Sequence, residues 1–139
     1  MKVLLDTNII LDSAIERQPF VYESDRIFLL IEQQKFEGYV SASTFGDLYY
    51  LIRKAKGRDL ALYFLINLAN LCRIANVNEA AISIALTANF RDFEDAIQYS
   101  TAVINQLDAI VTRNPQDFTN VSLRILTPTQ LIQELEILP

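Results

Sequence analysis

The chain has 139 residues, 51% of them hydrophobic, with a formal charge of −5, a single cysteine and no histidine. Size and apolar content fit one packed domain over residues 1–139 and exclude a disordered chain, while the charge excludes a protein that coats nucleic acid by bulk electrostatics. The missing histidine rules out Ser-His-Asp and Cys-His catalysis and the histidine-containing zinc sites.

Cys72, in the apolar context Leu71-Cys72-Arg73-Ile74-Ala75, reads as a buried thiol without an internal disulfide partner. No apolar run approaches the roughly 18 to 20 residues of a membrane span. The first residues lack the basic, apolar and cleavage regions of a signal peptide, so a cytoplasmic protein is expected.

Val3-Leu4-Leu5 is a continuous apolar run too short for a lone helix, which suits a strand covered on both faces of a parallel sheet. Asp6 then falls at its carboxyl end, where open α/β sheets bind ligands. Asp6-Thr7-Asn8 gathers a carboxylate, a hydroxyl and an amide before Ile9, Ile10 and Leu11 return to apolar character. The same triplet also reads as a helix cap, because both Asp and Asn accept hydrogen bonds from free amides.

Pro19-Phe20 breaks the pattern, and Ser24-Asp25 is placed to cap a helix through Gln34, with Ile27, Leu30 and Ile31 on one face. Lys35 to Gly38 turns the chain into a second strand, Tyr39-Val40-Ser41. Ser41 and Ser43 are cap candidates for the helix that follows, which carries Asp47, Leu48, Leu51 and Ile52. It ends in Arg53-Lys54-Ala55-Lys56-Gly57-Arg58, cations that oppose the helix dipole before a glycine stop and remain free to meet phosphate.

Arg58-Asp59 opens another helix, with Leu62, Leu65, Ile66 and Ala69 as its stripe, and Cys72 to Ala75 reads as a third strand. Asn78 caps a helix through about Leu86. Asp92 begins the next, through about Gln106, with Ala96, Tyr99, Ala102 and Val103 facing the sheet. Ala109-Ile110-Val111-Thr112 is a fourth strand, Arg113 to Phe118 a polar loop, Leu123 to Leu126 a last strand, and Pro128 to Leu135 a closing helix. Strands alternating with helices throughout imply one parallel sheet between helical layers. The three glycines form no phosphate-binding loop of either common pattern.

In such a sheet the carboxyl ends of the strands share one rim, which brings Asp6, Asp47, Asp92, Asp95, Asn114 and Asp117 together from distant sequence. Each has a local explanation. Asp47 suits a helix dipole, Asp92 and Asp95 resemble a cap with a reciprocal acid, and Asn114 and Asp117 suit turns. Jointly they crowd carboxylates that destabilise one another unless protonated or bridged by a cation, and oxygen-only ligands select magnesium or manganese.

Val3-Leu4-Leu5-Asp6-Thr7-Asn8, the Asp47 helix, Asp95-Ala96 with Ala102, and Ile110-Val111-Thr112-Arg113-Asn114 followed by Asp117-Phe118 resemble the PIN domain family over almost the whole chain. The resemblance implies a three-layer α/β/α sandwich with a five-stranded parallel sheet in the order 3-2-1-4-5. It also implies a ribonuclease dependent on Mg2+ or Mn2+. Many bacterial members are toxins of toxin–antitoxin pairs, so an RNA substrate, an antitoxin protein and a homodimer are implied as well.

Carried over by position, Asp6 and Asp95 match the family's central metal-binding acids, Asn8 matches the polar residue that supports the first, and Thr112 matches the hydroxyl at the end of the fourth strand. Asp47 stands where glutamate is common. Asn114 stands where a fourth acid is usual, with Asp117 and Asp92 as further acids that restore charge. The catalytic set is then Asp6, Asp47 and Asp95, with Thr7, Asn8, Thr112 and Asn114 positioning water or phosphate. Arg53, Lys54, Lys56, Arg58 and Arg113 are candidate RNA contacts.

The alternative is a PIN-like module that binds RNA or protein without cutting, motivated by Asn114. An aspartyl phosphotransferase would carry a second Asp where this chain has Asn8, and a phosphate-receiving signalling domain would carry its acceptor after the third strand, where Ala75-Asn76 stands. Both rank below a nuclease.

Overall fold

The computed structural model describes residues 1–119 and 121–137. Among them, strands β1 (Lys2–Leu5), β2 (Glu37–Ser41), β3 (Arg73–Ala75), β4 (Ala109–Val111) and β5 (Arg124–Leu126) form one sheet. Around it lie α1 (Thr7–Ala14), α2 (Val21–Glu32), α3 (Thr44–Lys56), α4 (Arg58–Leu71), α5 (Glu79–Thr87), α6 (Phe93–Ile104) and α7 (Pro128–Ile137), with a 3-10 turn at Pro115–Phe118. The sheet order is β3-β2-β1-β4-β5 and every pairing is parallel.

The apolar run of β1 follows from its central place. Val3 pairs with Gly38 on one side and Ala109 on the other, and Leu4 with Tyr39 and Ile110. Alternation then sends Val3 and Leu5 into a core with α1, α2, α3, α4 and α7, and Leu4 into a second core with Ala102, Leu107, Ile110 and Phe118. A strand buried on both faces has no polar side, and burying each of these side chains is worth about 1.5–3 kcal/mol.

Helix starts show where local chemistry and packing compete. Asn78 accepts from the Ala81 amide at 3.0 Å, and Asp92 Oδ1 accepts from the amides of Glu94 and Asp95 at 2.8 and 3.2 Å, so both cap as their sequence positions predict. Thr127 and Gln130 cap α7 reciprocally, at 2.9 and 3.2 Å. The expected Ser24-Asp25 start of α2 is wrong. That helix begins at Val21, Ser24 is buried within it, and Asp25 accepts from the Ser13 hydroxyl instead. Ser43 occupies the start of α3 without a side-chain cap bond; its hydroxyl meets that of Ser41 at 2.8 Å.

On α6, Ala96 and Ala102 face the core as expected, whereas Val103 is exposed and the buried polar positions are Gln98, Ser100 and Thr101. α3 ends at Gly57, whose φ of 91° and ψ of 165° turn the chain directly into α4. No helix among the described residues is long and apolar enough to cross a membrane.

The order places the reversal of chain direction across the sheet between β1 and β4, at whose carboxyl ends Asp6 and Thr112 stand. The rim is held by backbone bonds: the Asp6 amide donates to Val111 O at 3.0 Å and the Thr112 amide to Leu126 O at 2.9 Å.

Candidate functional site

Asp6 is the N-cap of α1 and is 8% exposed. Its Oδ1 accepts from the Thr7 amide at 2.9 Å and from Gln98 Nε2 at 3.4 Å, and its Oδ2 accepts from Thr112 Oγ1 at 2.8 Å. Capping and site membership are therefore compatible, because the cap bond uses one oxygen and leaves the carboxylate on the rim. Burial raises the Asp6 pKa above its usual range; the three donors oppose that shift and the Asp117 charge adds to it.

Around this acid lies a hydroxyl and amide frame. The Thr7 and Thr44 hydroxyl oxygens are 3.4 Å apart, and Gln98 Nε2 lies 3.3 Å from Thr7 Oγ1 and 3.5 Å from Thr44 Oγ1. Thr112 Oγ1 accepts from the Asn114 amide at 3.1 Å, which ties the loop after β4 to the same carboxylate. Gln98 Oε1 is buried with no hydrogen-bond partner.

A cleft of about 500 Å³ opens over this frame. Its walls bring together Asp6, Thr7 and Asn8 from α1, Asp47 from α3, Asp92, Glu94 and Asp95 from α6, and Asn114 and Asp117 from the loop after β4. Asp95 is pushed up to about 7, first by burial and then by the charges of Asp6, Asp92, Asp117 and Glu94. Glu94 is raised by burial and by Asp47, Asp92 and Asp6. The carboxylates thus sense one another across the cleft.

Oxygen-only donors with mutual repulsion suit a hard divalent cation in chemistry. In spacing, no three acidic or thiol side chains among the described residues stand close enough to share a metal ion. Asp92, placed among the expected ligands, gives its Oδ1 to the cap of α6, whereas Asp95, third in that helix, shows no bond back to the Asp92 amide and keeps its carboxyl for the cleft.

The cations lie elsewhere. Arg53, Lys54, Lys56 and Arg58 are exposed around the α3–α4 junction, outside the cleft walls. Along α3 they begin about 9 Å beyond Asp47, at 1.5 Å per residue. Arg113, expected to meet phosphate beside the rim, pairs with the buried Asp12, its Nε 2.6 Å from Oδ2, and its guanidinium stacks 3.9 Å from the Phe20 ring centroid. That pairing follows from Asp12, an acid with no exposed surface that requires a cation.

Gln98, Thr44 and Glu94 were not singled out by the sequence reading. Gln98 did carry a signal: a large polar residue three positions after Asp95, amid the small and apolar positions of α6. Thr44 and Glu94 carried none beyond their place near helix starts.

A PIN domain family model matches residues 2–116, and the chain belongs to that family. Among solved structures it is similar to a DNA-bound VapBC complex from Salmonella typhimurium, with a TM-score of 0.69 and 18% identity over 92% of this chain and 98% of that one. VapBC2 from Rickettsia felis bound to promoter DNA gives 0.68 and 17% over 91% and 98%. The sarcin–ricin-loop-cleaving toxin VapC20 of Mycobacterium tuberculosis gives 0.62 and 14% over 78% and 86%. At these identities the likeness is one of fold, that of the VapC toxins. No curated protein matches the sequence.

Proposed function

We propose that this PIN domain is a metal-dependent endoribonuclease, the toxin of a toxin–antitoxin pair, acting in the cytoplasm as a single-domain protein that forms a homodimer. The observation that carries the reading is Asp6, buried at the strand-order reversal, held by Thr112, Thr7 and Gln98, and facing Asp95 across an acidic cleft. Support for an antitoxin partner comes from neighbours that are toxin–antitoxin complexes, and support for RNA cleavage from the neighbour that cuts the sarcin–ricin loop.

Asp6 and Asp95 would hold a Mg2+ or Mn2+ ion, with Asp47 and Asp117 reaching it through water, since no three acids among the described residues stand close enough to share it directly. The chemistry such an ion would supply there is a lowered pKa for a bound water and neutralisation of charge on a phosphate. Thr112, Thr7 and Gln98 fix the orientation of Asp6, so that its free lone pairs face the cleft. Asn8 and Asn114 offer neutral amides to water or a phosphate oxygen without adding repulsion. Arg53, Lys54 and Lys56 at the end of α3 and Arg58 at the start of α4 lie beyond the cleft and take the backbone of the strand that leaves it.

The test is cleavage of a panel of single-stranded and structured RNAs with Mn2+, Mg2+ or chelator, beside Asp6→Asn prepared identically. Metal-dependent cutting that the variant loses supports the reading. Absence of cutting with either metal, from protein freed of any inhibitor, favours the second reading: a binding module that does not cleave, motivated by the neutral Asn114 and the open spacing of the acids.

A further inference from the structure

Beside the acidic cleft lies a second cavity of about 880 Å³ that shares Asp92, Asp95 and Asp117 with it. Its far wall has a different chemistry. Phe90 and Tyr99 stack with ring centroids 5.4 Å apart and planes 27° from parallel, and Phe118 meets Phe90 edge-on at 5.9 Å and 75°. Phe118 is buried in the core beneath the sheet, so the aromatic wall has a rigid footing, while Phe90 and Tyr99 remain partly open. Hydrogen-bonding side chains surround it: Asn89, Gln116 and Thr119. Arg91 is exposed on the same segment and makes no ion pair among the described residues.

Neither the acids nor the frame around Asp6 needs this wall. A cavity of this size admits a base with its ribose. Aromatic faces stack unpaired bases, amides and hydroxyls read their edges, and a free arginine suits a flanking phosphate.

We infer that the Phe90 cavity is a nucleobase subsite: it takes one unpaired base of the RNA strand whose neighbouring phosphate lies in the acidic cleft. The inference rests on the nuclease reading for the identity of that strand, and the shared wall of acids makes the two compartments continuous. Asn89 and Gln116 discriminate among bases, so the subsite sets sequence preference at a position next to the cut. Arg91 holds the phosphate on the outer side and reduces repulsion from Asp92.

The test uses uncharged nucleosides as probes of the whole chain, with chelator present so that no metal contributes. Adenosine, guanosine, cytidine and uridine are titrated while backbone amide resonances are followed. One or more should shift Phe90, Tyr99 and Thr119 and leave the amides of Arg53 to Arg58 unmoved. Phe90→Leu keeps apolar volume against Phe118 and should weaken that binding about tenfold, toward the lower end of what a lost aromatic stack costs per base. Gln116→Ala, at an exposed position, should change the order of preference among the four.

Failure of all four nucleosides to shift these residues, or equal binding by Phe90→Leu, overturns the subsite. The cleavage assay separates this from the nuclease reading. A protein that cuts, with the same site preference in Phe90→Leu and Gln116→Ala, has a nuclease site and no such subsite. Nucleosides that bind at Phe90 in a protein that never cuts leave the subsite standing and remove the nuclease.

Discussion

Arg113 donates from Nε and Nη2 to both carboxylate oxygens of Asp12, at 2.6 and 3.2 Å, across 101 positions of sequence. Asp12 has no exposed surface, Arg17 adds a second cation at 3.8 Å, and Phe20 covers the guanidinium face. The pair fastens α1 to the residue that leads directly into Asn114, so the two sides of the acidic rim are joined from behind.

Breaking this pair leaves a buried charge without its main partner, a loss of about 3–5 kcal/mol. Arg113→Ala should therefore lower the urea midpoint strongly. The double variant Asp12→Leu with Arg113→Met, which removes both charges, should recover most of the loss. A single Arg113→Ala variant as stable as wild type would show that Arg17 alone satisfies Asp12.

The acidic cleft sets a pH dependence. Asp95 lies at about 7 when folded against an ordinary 3.8, so between these values the folded protein holds a proton that the unfolded chain has released. The stability this gives is fully present below pH 3.8 and is lost as pH rises through 7. Asp95→Asn should flatten that part of a Tm-against-pH curve measured in chelator. An unchanged slope would mean that Asp95 is not the group responsible.

Divalent cations should act in the opposite sense. Bound as proposed, Mg2+ or Mn2+ would stabilise a folded site that the unfolded chain lacks, so Tm should climb with metal concentration and climb further at pH 8 than at pH 6, where Asp95 must first give up its proton. Asp6→Asn should remove most of the effect. Equal metal-induced shifts in wild type and variant would place the ion elsewhere.

Thr112→Val keeps the shape of a residue with no exposed surface and removes the hydroxyl that donates to Asp6 and accepts from the Asn114 amide. A hydrogen bond to a charged group is worth about 1.5–3 kcal/mol, and losing it also raises Asp6 further. Denaturant unfolding should show the stability loss, and calorimetry should show weaker metal binding that recovers partly as pH is raised.

Gly38 pairs with Val3 in the sheet, and a Cβ there would stand 2.5 Å from Ile31 Cδ1 and 3.3 Å from Cys72 Sγ. Gly38→Ala should cost about 1–3 kcal/mol by overpacking. Adding Ile31→Val, which removes the crowding methyl, should relieve part of that cost; no relief would locate the strain in the backbone.

The apolar run ending at Asp6 was readable because a strand buried on both faces has no alternation to confuse it, and the caps at Asn78 and Asp92 because they act within three residues. The five-strand order came from resemblance to the PIN family, not from periodicity. The pairing of Arg113 was not legible because its partner lies on α1, about a hundred positions away, and the charge of Asp12 next to Ile9, Ile10 and Leu11 says only that some cation is needed. The start of α2 was missed because Val21 packs inward, and burial of that residue outweighed the capping preference of Ser24 and Asp25. Gln98 is the same problem inside the site: its polar neighbours, Thr7 and Thr44, come from two other helices.

Strand β1 is made first and ends in the middle of the sheet. As the chain leaves the ribosome, its edge toward β4 waits for residues about a hundred positions later, and the hydroxyl that steadies Asp6 arrives 106 residues after it. Nascent fragments that stop short of Thr112 carry every acid of α3 and α6 but lack the clasp on the central one. Synthesis therefore delivers the acids of α3 and α6 before the residue that aligns Asp6, so a truncated product inherits their repulsion without the order.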